Sequence, residues 1–148
     1  MKSFKVTLVI LTSSLLAGAT AVASLGGAEA SVEQDRQTFK APAATMQDNG
    51  TYRVHEITTG GTSIKEYVSP QGVVFGVSWK GRVNPDFQTL LGTYFNESQT
   101  APHKKGRGPT VFDGPNLHLE KGGHMRALGG RAYVSGLIPS GLTESVVQ

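Results

Sequence analysis

The residue types that could support chemistry in this chain are histidine and glutamate, on two segments far apart in the sequence. His55 and Glu66 belong to the first segment, and His124 lies in a glycine-rich stretch near the other end. Imidazole and carboxylate groups bind zinc or copper and also act as general acids and bases. The spacing contains no H-x-x-x-H pair and gives no reason for His55 to meet His124. The sequence therefore predicts no metal and no cofactor, and we expect His55 beside Glu66 on the surface of a sheet.

A serine nucleophile is also disfavoured by the spacing around it. Residues Gly76–Gly81 read G-x-S-x-x-G, one residue longer than the nucleophile elbow of hydrolases, and they lie within a predicted strand. The glycine pairs of the chain lack the Lys-Ser/Thr of a phosphate-binding loop and the G-x-G-x-x-G of a dinucleotide site. The sequence therefore assigns no catalytic residue.

The segment Gly123–Arg126 is a candidate contact surface. Met and Arg are enriched in protein interfaces, and the tip of a hairpin would present Met125 and Arg126 to a partner. The alternative is that Met125 turns inward and fills the core. The candidate binding residues of the whole chain are therefore His55, Glu66, His124, Met125 and Arg126.

Residues 1–23 have the three parts of a cleavable signal peptide. Lys2 and Lys5 form a positive region, Val6–Ala17 is mostly apolar, and Ala21–Ala23 matches the A-x-A pattern of signal peptidase. Polar residues interrupt the apolar run, whereas a spanning helix needs about 20 predominantly apolar residues. We therefore expect cleavage before Ser24, no integral membrane anchor afterwards, and a periplasmic or extracellular location.

Charge and cysteine content exclude several classes of function. The chain has 14 Lys and Arg residues against 11 Asp and Glu residues; residues 1–23 hold two of the lysines and no acid, which leaves 12 against 11. A net charge this small predicts no binding to nucleic acid. The chain contains no cysteine, so disulfides, thiol catalysis and thiolate metal sites are excluded.

The elements that would position the candidate residues begin after a loosely ordered N-terminal arm, residues 24–50. Thr51–Thr59 and Thr62–Ser69 flank Gly60-Gly61, which predicts a tight hairpin turn with positive φ at both glycines. This turn places His55 opposite Glu66.

A second turn, Ser69–Gly72, leads into Val73–Lys80. We expect a three-residue loop there, because it puts Phe75, Val77 and Trp79 on the face of Tyr67 and gathers the aromatic side chains into one core. A four-residue loop would put these side chains on the other face.

A helix and further hairpins complete the predicted domain, residues 51–148. Asn84 is the predicted N-cap of a helix with one apolar stripe, formed by Phe87, Leu90, Leu91, Tyr94 and Phe95. Gly122-Gly123 and Gly129-Gly130 each predict a hairpin turn among three short strands. The order favours an α+β fold: an antiparallel sheet (a β-meander plus C-terminal hairpins) with one amphipathic helix packed on one face.

Several short motifs of the chain occur together in one known family. They include Leu25-Gly26-Gly27, Tyr52–Ile57, Lys65–Pro70, Leu90–Phe95, Gly123–Arg126 and Gly130–Tyr133. In these motifs the chain resembles an uncharacterised family of exported Gram-negative bacterial proteins, domain-of-unknown-function family 2844. The resemblance covers nearly all of the sequence after the signal peptide. It implies a periplasmic or secreted location and supplies no activity, substrate or catalytic residue.

Taken together, these features predict a small exported, non-catalytic binding or envelope-assembly module whose ligand is unknown. Another envelope protein is the candidate partner, and the oligomeric state stays open. The alternative is a small envelope hydrolase or metal-dependent enzyme that uses His55, Glu66 and His124. Convergence of the histidines on one pocket would favour the enzyme, and histidines scattered over the surface would favour the binding module.

Overall fold

The computed structural model describes residues 25–100 and 108–148. The predicted signal peptide, its cleavage site and the basic loop His103–Arg107 lie outside these ranges. Over the described ranges, no helix is long and apolar enough to cross a membrane.

Seven antiparallel strands form one open sheet, in the order β1-β2-β3-β4-β7-β6-β5. Strands β1 to β4 form the first meander, and strands β5 to β7 form the second. The two meanders join where β4 pairs with β7. Together with short helices this arrangement is an α+β fold, as predicted. The strands are β1 Ala44–Asp48, β2 Arg53–Thr59, β3 Thr62–Val68, β4 Val74–Gly81, β5 Thr110–Asp113, β6 Leu117–His124 and β7 Ala127–Val134.

The β2–β3 hairpin has the predicted register, with His55 opposite Glu66 and Glu56 opposite Lys65. The predicted turn conformation is wrong, because φ is positive at neither Gly60 nor Gly61. Glycine adopts negative φ as readily as positive φ. The glycine pair thus predicted the position of the turn correctly, but it did not determine the conformation of the turn.

A β-bulge between β3 and β4 changes which side chains share a face. The loop closes as a three-residue turn, with the Ser69 amide donating to the Val73 carbonyl at 2.8 Å. The register then shifts near Tyr67, because Phe75 is an extra residue on β4. Phe75 therefore packs with Tyr67 as predicted, whereas Val77 and Trp79 lie on the opposite face. The prediction for those two side chains was wrong.

The apolar stripe after Pro85 forms two short helices, α2 Phe87–Leu91 and α3 Phe95–Gln99, joined by a 3₁₀ turn. Gly92, with φ of 50°, ends α2, so the predicted continuous helix is interrupted. Asp86 is the N-cap in place of Asn84, because its carboxylate accepts hydrogen bonds from the Gln88 amide and the Thr89 hydroxyl. Leu90 and Leu91 are fully buried against the sheet.

The C-terminal glycine pairs lie inside strands, so the two hairpins predicted there are a single one. Gly122 on β6 faces Gly129 on β7, and the turn is at Met125-Arg126. A Cβ atom on Gly130 would lie 2.4 Å from the Trp79 ring and 2.3 Å from a backbone oxygen. The glycine thus makes room for the tryptophan ring beside the strand.

The residues predicted as a loosely ordered arm supply a helix, an edge strand and core side chains. Helix α1, Val32–Thr38, packs on the sheet, and β1 pairs with β2. Three apolar side chains of this segment are buried in the main core: Leu25, Val32 and Ala41. This segment, α2 and α3 cover one face of the sheet, which we call the covered face; the other is the open face.

Candidate functional site

The open face displays a row of polar side chains across five strands. Register pairs Glu56 with Lys65, Lys65 with Ser78, Ser78 with Arg131, and Arg131 with Glu120. Residues directly opposite each other point to the same face of an antiparallel sheet. The row therefore runs perpendicular to the strands and brings charges from both meanders to one surface.

This row lines part of an open groove of about 860 Å³. Gly129 and Gly122 face each other on its floor, where the absence of side chains exposes the backbone of the sheet. Pro109 lies about 3.1 Å from the Cβ position of Gly122 and forms part of one wall. Ser63 and Lys80, which are opposite each other on β3 and β4, also line the groove.

The two acidic residues of the groove are already engaged. Glu120 accepts two hydrogen bonds from the Arg131 guanidinium, both of 3.0 Å, and contacts His118 Nε2 at 2.9 Å. Arg131 first, then His118, lowers the pKa of the Glu120 carboxyl to about 2. Glu56 accepts a hydrogen bond of 2.6 Å from the Ser63 hydroxyl. Arg131 thus neutralises Glu120, whereas Glu56 keeps its negative charge opposite Lys65.

Gln148 lines the groove next to a second apolar cluster on the open face, which contains Tyr67, Phe75, Tyr133 and Val147. The Tyr67 and Ser78 hydroxyls both donate to the backbone oxygen of Gln148, Ser78 at 2.8 Å, and the Gln148 amide donates to the Tyr67 oxygen at 3.0 Å. Val147 is fully buried beside Tyr67. These contacts cover the aromatic cluster and leave the charged part of the open face uncovered.

His118 is held in the same network as the groove. Its Nδ1 contacts Asp113, its Nε2 contacts Glu120, and its ring stacks on Tyr133 with centroids 4.6 Å apart. A carboxylate thus occupies each of the two ring nitrogens. It orients Glu120 and has no free nitrogen for proton transfer to a ligand.

His55 and Glu66 lie together on the covered face, on the opposite side of the sheet from the groove. His55 Nε2 contacts the Glu29 carboxylate at 2.8 Å, and Arg53 binds the same carboxylate through two nitrogens, at 2.8 and 2.5 Å. These bonds tie the N-terminal segment to β2. Glu66 is fully buried, so its expected position on the sheet surface was wrong.

The buried partner of Glu66 is Asp35 of α1, a residue that the sequence did not indicate. Both residues are 0 % exposed. No other group in the described parts of the chain hydrogen-bonds to either carboxyl, so the pair is satisfied only when one carboxyl is protonated and donates to the other. Burial raises the pKa of both carboxyl groups, and for Glu66 the charge of Asp35 raises it further. The closed environment fits a structural contact between α1 and β3.

His124, Met125 and Arg126 lie together at the tip of the β6–β7 hairpin. Met125 is 96 % exposed, so it does not fill the core, and Arg126 has a φ of 66°. Four strand spacings of about 4.8 Å separate β2, which carries His55, from β6. The tip also lies five residues along β6 from the position level with His55, so the distance between the tip and His55 is roughly 25 Å. His124 also points to the open face. The three residues of the enzyme alternative therefore do not form one site. Within residues 25–100 and 108–148, no three or more His, Asp or Glu side chains are arranged so that they could hold a metal ion.

The fold and the groove define a class of protein: a small α+β domain with helices on one face of an antiparallel sheet and an open groove on the other. Comparison with known families then matches residues 21–147 to the family described as "Protein of unknown function (DUF2844)". The chain belongs to this family, as its motifs indicated. No curated protein and no solved structure matches the chain.

Proposed function

We propose that this chain is an exported, non-catalytic binding module that holds its ligand in the groove of the open face. The observation that supports this function is the asymmetry of the sheet. Helices and the N-terminal segment cover one face, whereas the other keeps a groove of about 860 Å³ with polar side chains around a glycine floor. Ligand sites are typically concave and have a few converging polar groups.

The state of the candidate catalytic groups favours binding over catalysis. The Ser78 hydroxyl donates to Gln148, and its other close polar neighbour is the Tyr67 hydroxyl at 3.3 Å. A serine nucleophile needs a general base within hydrogen-bonding distance, and neither neighbour is one. His118 is engaged at both nitrogens, and His55 binds Glu29 on the far face.

Export is supported by the order of charged, apolar and small residues in positions 1–23. A binding module in the envelope would meet its ligand in the periplasm or outside the cell. The ligand would be either another envelope component or a molecule that passes through this compartment.

Thermal unfolding in a periplasmic extract tests the groove as the binding site. A ligand that binds only the folded state raises the melting temperature, by several degrees when it is present at about 100 times its Kd. We expect this gain for the natural chain and for Gln88→Trp, which places a large side chain on the exposed surface of α2. Ser63→Trp fills the groove and should lose the gain. Equal stabilisation of Ser63→Trp, or none of the natural chain, would contradict the proposal.

A further inference from the structure

Two lysines of the groove occupy diagonal positions on neighbouring strands. Lys65 is opposite Ser78, and Lys80 is opposite Ser63, so the lysines lie two positions apart on the same face. Diagonal neighbours in an antiparallel pair are about 7–8 Å apart, which is within reach of long side chains. Both ammonium groups can therefore converge on one ligand group above the glycine floor.

The positive charge of these lysines is compensated only in part by the groove itself. In the part of the chain that the structure describes, neither Lys65 nor Lys80 forms an ion pair. Glu120 is bound by Arg131. Glu56 accepts only from the neutral Ser63 hydroxyl, so its charge offsets that of Lys65 opposite it, and the charge of Lys80 is left over. Adjacent like charges destabilise a sheet, and an anion between them removes this cost.

The kind of cation indicates the kind of anion. Arginine recognises both carboxylates and phosphates through its fork of donors, but the Arg131 fork is occupied by Glu120. The free cations are lysines, which bind phosphate as point charges. A phosphate monoester carries about −1.5 to −2 charges at pH 7, which matches two ammonium groups.

We infer that the groove binds a phosphorylated small molecule, with its phosphate group between Lys65 and Lys80. This inference rests on the proposed function and names the ligand class of that same groove. A single phosphate would fill only part of about 860 Å³, and pockets of 300–1,000 Å³ suit ligands of drug-like size. The remainder of the ligand would lie over Gly129 and Gly122.

Titration calorimetry with defined probes tests the ligand class. We use glucose 6-phosphate as the phosphorylated probe, glucose as the uncharged probe, and citrate as the carboxylate probe, at low and at physiological salt. We expect glucose 6-phosphate to bind in a salt-dependent way and glucose not to bind. Lys65→Gln and Lys80→Gln should each weaken binding about tenfold, because each removes a charge-assisted hydrogen bond. Lys40→Gln, an exposed change on the N-terminal segment, should leave the affinity unchanged.

The outcomes separate this inference from the proposed function. Absence of glucose 6-phosphate binding, binding that survives the Lys65→Gln/Lys80→Gln double change, or citrate binding of equal strength would overturn the phosphate inference. If the Ser63-dependent stabilisation by periplasmic extract is still observed, the groove remains the ligand site and only the ligand class is wrong. If that stabilisation is also missing, both proposals fail.

Discussion

At the residue scale, the stability of the fold depends on the protonation state of Asp35 and Glu66. Their carboxyl groups meet between α1 and β3, away from solvent. Two ionised carboxylates cannot share such a site, because each would lack its water shell and would repel the other. The contact that holds α1 to the sheet therefore requires at least one protonated carboxyl.

The free energy of unfolding should consequently fall as the pH rises. Burial raises the pKa of Asp35 to about 7, from an ordinary value of 3.8, and raises that of Glu66 as well. The folded state thus binds more protons than the unfolded chain, and the stability present below about pH 4 is lost as the pH rises through about 7. We expect a loss of about 3 kcal/mol between pH 5 and pH 8, measured by urea unfolding.

Glu66→Gln provides the variant for this prediction. The side-chain amide that it introduces can donate to the Asp35 carboxylate without titrating, so the variant should gain stability at pH 8 and depend less on pH. Glu144→Gln removes an exposed acid and should keep the dependence of the natural chain. A natural chain whose stability stays level or rises between pH 5 and pH 8 would show that the buried pair does not control stability.

The position of Glu66 opposite His55 was predictable, and its burial was not. The register followed from the length of the loop at Gly60-Gly61, which is a local property of the chain. Burial of Glu66 depends on Asp35, which lies in a segment with few large apolar side chains and no sustained period. A buried pair of acids has no sequence signal, because its favourable state is a protonation state created by the tertiary structure.

At the element scale, the errors of sequence interpretation arise from contacts between distant strands. Gly129-Gly130 suits a turn when only its neighbours are considered. In the sheet, Gly130 lies between Trp79 on β4 and Lys121 on β6. The bulge at Phe75 has the same origin, because it places Trp79 on the covered face, where its ring meets Phe87 with centroids 5.1 Å apart. Helix and hairpin signals are local, whereas these two features depend on the completed sheet.

Glycine substitutions test which glycines serve the sheet and which serve a turn. Gly130→Ala places a Cβ atom 2.3–2.4 Å from the neighbouring strand and the Trp79 ring, so it should destabilise the protein by about 2 kcal/mol or more. Gly60→Ala meets no atom within 4 Å and has no positive φ to disfavour it, so it should change stability by less than about 0.5 kcal/mol. Denaturant unfolding of the two variants measures the difference. A tolerated Gly130→Ala would contradict the close packing of Trp79.

At the scale of the whole molecule, the candidate site arises where the two meanders meet. Lys65 and Lys80 belong to the first meander, and Arg131, Gly129 and Gly122 belong to the second. The sequence could predict the hairpins of each meander but not the pairing of β4 with β7, which brings together residues about fifty positions apart. The groove follows from that pairing, so motif analysis of single segments could not find it.

Processing of the N-terminus tests the proposed export. Protein recovered from an envelope fraction of an expressing bacterium should have the intact mass of a chain that begins at Ser24. Changing Ala21 and Ala23 to Gln removes the small residues that signal peptidase recognises, so the longer precursor should accumulate. Full-length natural chain found only in the cytoplasmic fraction would show that residues 1–23 are not an export signal.

The burial of Leu25 would impose an order of events on an exported chain. Leu25 is 1 % exposed, its amide donates to the Leu90 carbonyl at 3.2 Å, and the Gly26 amide donates to the Val74 carbonyl at 2.8 Å. The predicted scissile bond, Ala23-Ser24, is thus one residue from a position locked into the core. A peptidase needs an accessible, extended stretch on both sides of the bond, which the docked segment would not provide. The signal peptide would therefore be cleaved before Leu25 packs into the core, so folding would be completed only after cleavage.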